Sequence, residues 1–239
     1  MQLVYAKSLV LIFALLPFRA SAQSNRGTID GIVVDSDNKV VAGATVYAHP
    51  IGVPFVGVVP HSETNDNGYF IIHNLWWGQY HVYGAKEDED YPNVGRRLYG
   101  AGNAEQVFTL APDQPAQTAA IRLGPKAGVL TGTVTDATTG APLNPCAEFR
   151  RTSDPHSSLT GTGLVKAKFR FLVPSNTDVL LKVWLDGYKP WFYPDTPEES
   201  RTSLRLKPAE VQTLDIRLQP DPSQRQTGCG MPVGTVIPR

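Results

Sequence analysis

Trp76 and Trp77 stand side by side in "NLWWGQYHVY", immediately before Gly78. Adjacent residues on a strand point to opposite faces, so one core cannot take both indoles. One reading packs them: one Trp caps the open end of a sandwich, and the other lies on a neighbouring loop or a second domain. Trp is usually at least half buried, which favours this reading. The other reading exposes them as a stacking platform for a sugar ring or a partner protein, extended by Tyr83 and Tyr91. A second aromatic group, "VWLDGYKPWFYPDTPEE", sets Trp191, Phe192 and Tyr193 in a row. Consecutive aromatics cannot all face inward, which makes Trp191 and Tyr193 further binding candidates. Stacking on a ligand needs no titratable group.

Reactive chemistry finds less support. There is no G-x-S-x-G elbow, P-loop or dinucleotide fingerprint, and no cysteine–histidine pairing in a recognisable context. His49, His73 and His81 fall on the outward parity of their strands, with His61 nearby, but no H-E-x-x-H or H-x-H spacing joins them. They read as solvated surface histidines. "KEDEDY" at 86–91 and "DSDN" at 35–38 could offer carboxylates to calcium, yet neither matches an EF-hand loop, and they read as solvated acidic turns. The expectation is no catalytic residue, no metal, no cofactor and no enzymatic activity.

Two cysteines, Cys146 and Cys229, remain. An even count in an exported chain suggests a disulfide. It would pin the Pro/Gly-rich tail 220–239 to the start of the second repeat. Cys146 aligns with inward Ala44, which would place Glu148 inward as well. A one-residue bulge turns Ala147 and Phe149 inward instead, exposes Cys146 and allows the bond.

These residues must be held by strands. Residues 1–22 place one Lys before an apolar run and end in Ala20-Ser21-Ala22, the pattern of a signal peptide cleaved before Gln23. That run is short for a membrane span, and nothing later is long and apolar enough. The chain is expected to be secreted or periplasmic. With 22 basic and 22 acidic residues, net charge +0, it carries no basic stripe for nucleic acid. Gly (21) and Pro (20) punctuate many short β-rich runs. "GTIDGIVVDSD" from Gly27 returns as "GVLTGTVTDAT" from Gly128, matching Gly31, Val33 and Asp35 to Gly132, Val134 and Asp136. "AAIRLGP" and "LDIRLQP" close the two copies. Ala44, Val46 and Ala48 alternate inward against Thr45, Tyr47 and His49, and Tyr80 and Val82 inward against His81 and Tyr83. Asn67-Gly68 signals a hairpin. A repeat of this length fits a whole β-sandwich.

The run "G-x-V-x-D", "VVAGATV", "T-N-D-N-G-Y-F" and "L-W-W-G-Q-Y-H-V" resembles the carboxypeptidase regulatory-like domain family, clearly over 27–91 and more weakly over 128–218. The resemblance implies a transthyretin-like (prealbumin-like) sandwich related to starch-binding-like modules, accessory and without catalytic residues. The pair Trp76-Trp77 departs from it, since that turn usually holds Pro or small residues. The expected fold is all-β: two tandem antiparallel Greek-key β-sandwiches, at 25–124 and 126–219. The expected function is an exported binding module for carbohydrate or an envelope or extracellular protein. The alternatives are a structural or adhesive spacer, or an accessory subunit of an enzyme on another chain.

Overall fold

Strand β1 (Arg26–Val34) shows how alternation becomes architecture: Ile29 and Val33 are fully buried, while Ile32 between them is exposed. The computed structural model describes residues 25–53, 57–96, 98–99, 106–154, 156–161, 164–165 and 168–225. The expected signal peptide 1–22 and Cys229 lie outside them. Among the described residues there are fifteen strands, two 3-10 turns and no α-helix.

The first repeat continues with β2 (Thr45–Pro50), β3 (His61–Glu63), β4 (Tyr69–Trp76), β5 (Gly78–Ala85), β6 (Gln106–Leu110) and β7 (Ala116–Arg122). These form a β4-β1-β7 sheet and a β3-β2-β5-β6 sheet. Ile29, Phe70, Ile72, Leu75, Val82, Leu110 and Ile121 fill the space between them. The second repeat supplies β8 (Gly128–Asp136), β9 (Cys146–Arg151), β10 (Leu159–Gly161), β11 (Leu164–Val165), β12 (Lys168–Val173), β13 (Val179–Trp184), β14 (Trp191–Phe192) and β15 (Val211–Leu218). Its sheets run β11-β12-β8-β15 and β10-β9-β13-β14 around Leu130, Val134, Phe149, Phe169, Leu181 and Ile216. The fold is an all-β pair of sandwiches.

Two expectations change. The sheets are not purely antiparallel: β7 runs parallel to β1, and β15 parallel to β8. In the first repeat the chain turns at Ala111–Gln114 and changes sheets, so β7 arrives beside β1 already running its way. Asn67-Gly68 does not close a hairpin within one sheet. It turns a corner between β3 and β4, which belong to different sheets. Gly68 is left-handed (φ +70) but Asn67 is not, whereas the primed hairpin turn needs both. Asn65 stabilises the corner instead, its Oδ1 accepting the Asn67 and Tyr69 N–H groups.

The repeated glycines have one cause. Gly31 lies opposite Ala119 and Gly132 opposite Leu214, each on the parallel closing strand. A Cβ on Gly31 would sit 1.9 Å from the Ala119 carbonyl oxygen, and one on Gly132 1.8 Å from that of Leu214.

A strap from the first repeat completes the second. After β5, residues 86–96 cross the outer face of the β3-β2-β5-β6 sheet, with Gly95 pressed so close to Tyr83 that a Cβ would meet its hydroxyl at 2.1 Å. Leu98 then enters the second core, fully buried, and Tyr99 packs beside it. The Tyr99 hydroxyl donates to the Leu172 carbonyl at 2.7 Å. Burial raises the Tyr99 phenol well above its ordinary pKa. Arg170 on β12 pairs with Asp90, and the Ala127 N–H donates to the Asp90 carbonyl at 2.8 Å.

Candidate functional site

Trp76 ends β4 directly opposite Arg26, the first residue of β1. The Arg26 guanidinium carbon lies 3.4 Å from the centre of the indole, and Nη1 donates to the Asn74 carbonyl at 2.7 Å. Asn74 is left-handed (φ 59), an uncommon but accessible conformation for Asn. The Tyr80 hydroxyl holds the turn by donating to the Trp76 carbonyl at 2.8 Å. Trp76 stays 58% exposed. Trp77, on the opposite parity, is half-buried against the first core, and a Cβ on Gly27 would lie 3.0 Å from its ring. The adjacent indoles therefore divide the two expected roles: one packs and one stays in solvent.

The wider aromatic surface does not form. Tyr83 points outward from its sheet but is 5% exposed, stacked on Tyr47 at 5.4 Å beneath the strap at Gly95. Tyr91 is buried, with the Lys126 ammonium 5.1 Å above its ring. Trp191 is buried in the second core. Tyr193 is half-buried, edge-on to Trp191 at 6.5 Å, and its hydroxyl accepts from Gln212 Nε2 at 3.3 Å. Alternation assigns a side chain to one face of its own sheet; it does not reveal what later crosses that face. Arg26 was absent from the sequence-based site because only the β1–β4 register brings it to Trp76, fifty residues downstream by numbering.

His49, His61 and His81 share a face of the β3-β2-β5-β6 sheet, while His73 lies on β4 in the other sheet. His49 pairs across strands with His81, and Tyr47 with His61. His49 Nδ1 lies 3.1 Å from the Pro50 carbonyl and His61 Nδ1 2.9 Å from that of Val59. Among the described residues no three His, Cys, Asp or Glu side chains are arranged to hold a metal ion. The acidic turns are engaged internally. Glu89 pairs with Lys86 at 2.8 Å, Glu87 with Arg96 at 3.1 Å, and Asp90 with Arg170. Asp35 Oδ1 accepts the Asp37 and Lys39 N–H groups.

On β9, Ala147 and Phe149 point inward and Glu148 is only half-buried. Cys146 is disulfide-bonded, as expected, but it is buried rather than exposed. It lies opposite the bulky Trp184 on β13, a neighbour that alternation alone does not reveal.

No protein-family model and no curated protein matches the chain. Solved structures do. The shaft pilin spaA from Lactobacillus rhamnosus GG (D295N mutant) is 13% identical, with 82% of this chain and 98% of that one covered, at a TM-score of 0.35. A putative carbohydrate binding protein from Bacteroides uniformis is 14% identical, with 41% and 43% covered, at 0.30. The Bacillus anthracis TIE protein is 15% identical at 0.31; 82% of this chain is covered, but it spans only 34% of that longer one.

Proposed function

We propose that the chain is an exported, non-catalytic binding module of the carboxypeptidase regulatory-like type. Its first ligand contact is Trp76, which takes a sugar ring by stacking. The supporting observation is the exposed indole held against the Arg26 guanidinium. The guanidinium covers one face of the indole and fixes the ring, which leaves the opposite face for a pyranose to stack on. Glycan-array binding by the mature protein tests this. Trp76→Ala should abolish the signal while leaving the far-ultraviolet circular dichroism spectrum unchanged. A variant that binds as well as wild type would remove Trp76 from the site.

A second reading, the structural or adhesive spacer, has its own support. Tyr83, Tyr91 and Trp191 are packed rather than offered to a ligand. The strap seats Leu98 in the second core. In this reading the chain supplies a stiff pair of sandwiches, and ligands matter less than length. We further propose that Cys229 is the partner of Cys146, since the chain has two cysteines. Mass spectrometry of the non-reduced protein should find neither as a free thiol.

A further inference from the structure

The two repeats put different residues on the same outer face. On the β4-β1-β7 sheet, Ile32 stands between Tyr69 and Ala120. At the matching places of the β12-β8-β15 sheet, Thr133 stands between Lys168 and Asp215. One step along the strands, Val34 stands between Val40 and Arg122, where the second repeat has Thr135 between Pro142 and Arg217. One step the other way, Asp30 stands between Ile71 and Thr118, where the second repeat has Thr131 between Arg170 and Thr213. The second face is what this fold offers to water: threonines down the middle strand and charges on both flanks. The first face is aliphatic or aromatic at most of the same places. These groups are not covered, for Ile32 is 44% exposed, Val40 53% and Tyr69 36%. An apolar centre with polar groups around it is the composition of an interaction surface. Its charges, Asp30 and Arg122, lie on opposite sides of the Ile32 row. Asp30 accepts the Tyr69 hydroxyl on Oδ2 and the Thr118 hydroxyl on Oδ1, both at 2.9 Å. Both donors are neutral, and a carboxylate has room for more. Arg122 donates to the Asp35 and Ser36 carbonyls and to Asn38, which holds the guanidinium without neutralising it.

We propose that this face docks a second copy of the chain, face to face, about a two-fold axis that runs across the strands at Ile32. Such an interface sets residue i against j of the second copy, and j against i. Asp30 lies one step before Ile32, and Arg122 one step after Ala120, the cross-strand neighbour of Ile32. A half-turn about that row therefore brings Arg122 of the second copy above Thr118, within one strand spacing of Asp30, and the same contact recurs in reverse. The mirrored charges select a second copy, because each copy answers the other's pair. The outer face of the second repeat lacks this property. Lys168, Arg170 and Arg217 outnumber Asp215 there, so two such faces repel. The inference does not rest on sugar stacking at Trp76, which takes no part in these rows.

Sedimentation velocity of the mature full chain over a rising concentration series tests this. Wild type should sediment as a dimer at the upper end. Ile32→Thr, Tyr69→Lys and Ala120→Asp together copy the second repeat's residues onto the first, where the same fold already carries them. This triple variant should keep its melting temperature and weaken dimerisation at least about tenfold, because apolar surface is what the contact buries. Charge reversal reads the geometry. Asp30→Lys and Arg122→Glu should each weaken the dimer, and an equal mixture of the two should recover it, since opposite charges then meet at both contacts. Any Trp76-dependent glycan signal should be unchanged in all of them. Wild type that stays monomeric throughout overturns the proposal and leaves the face to another protein. So does a dimer that survives the triple substitution, or a mixture that fails to recover, because either puts the contact elsewhere.

Discussion

At residue scale, adjacent tryptophans should give opposite phenotypes. Trp76→Ala removes an exposed ring and a cation–π contact, and should cost about 1 kcal/mol of stability or less. Trp77→Ala empties a half-buried site against the first core and should cost about 2–4 kcal/mol, below the range for a fully buried Trp. Urea denaturation separates them. Equal costs would mean that the division between packed and exposed indole is wrong. The repeated glycines give a second residue-level prediction. Gly31→Ala and Gly132→Ala each drive a methyl into a backbone carbonyl of the parallel strand, which must shift. Each should cost more than about 3 kcal/mol, beyond the common range for single substitutions. Wild-type melting of either variant would contradict the close approach.

At element scale, much was legible because the strands alternate cleanly. The inward sets Ala44-Val46-Ala48 and Tyr80-Val82, and the two closing strands, could be read directly. Parallel closure could not, since a strand has the same pattern whichever way its neighbour runs. The strap was hidden for a different reason: "KEDEDY" reads as a solvated acidic turn, and only the folded chain brings Arg96 and Arg170 to its carboxylates. The strap also imposes a pH dependence. The Tyr99 phenol is raised by burial, so its neutral form is the one the fold holds. The stability this contributes is intact below the ordinary phenol value near 10 and falls as pH climbs above it, because the unfolded chain ionises first. Tyr99→Phe should flatten that alkaline loss while forfeiting about 1 kcal/mol at neutral pH for the bond to Leu172. An alkaline limb identical in the variant would show that another group sets it.

At the scale of the whole molecule, the repeat suggests two self-sufficient sandwiches, and the packing qualifies that picture. Leu98 belongs by sequence to the first copy and by packing to the second, where it is fully buried beside Leu130, Val134 and Leu206. A sandwich whose core is filled by another unit's side chain loses that filling when cut free, and a vacated buried leucine site costs about 2–5 kcal/mol. Residues 126–239 produced alone should therefore unfold at distinctly lower urea than the same sandwich in the full chain. Leu98→Ala in the full chain should reproduce most of the difference. Arg170→Ala should reproduce little of it, because its pairing with Asp90 is solvent-exposed and such pairs contribute about 1 kcal/mol or less. The decisive comparison is between the two midpoints. If the isolated fragment and the full chain unfold together, the strap is a surface ornament, and the two copies are joined only by their short linker. If they separate as expected, the strap of the first sandwich is committed to holding the second.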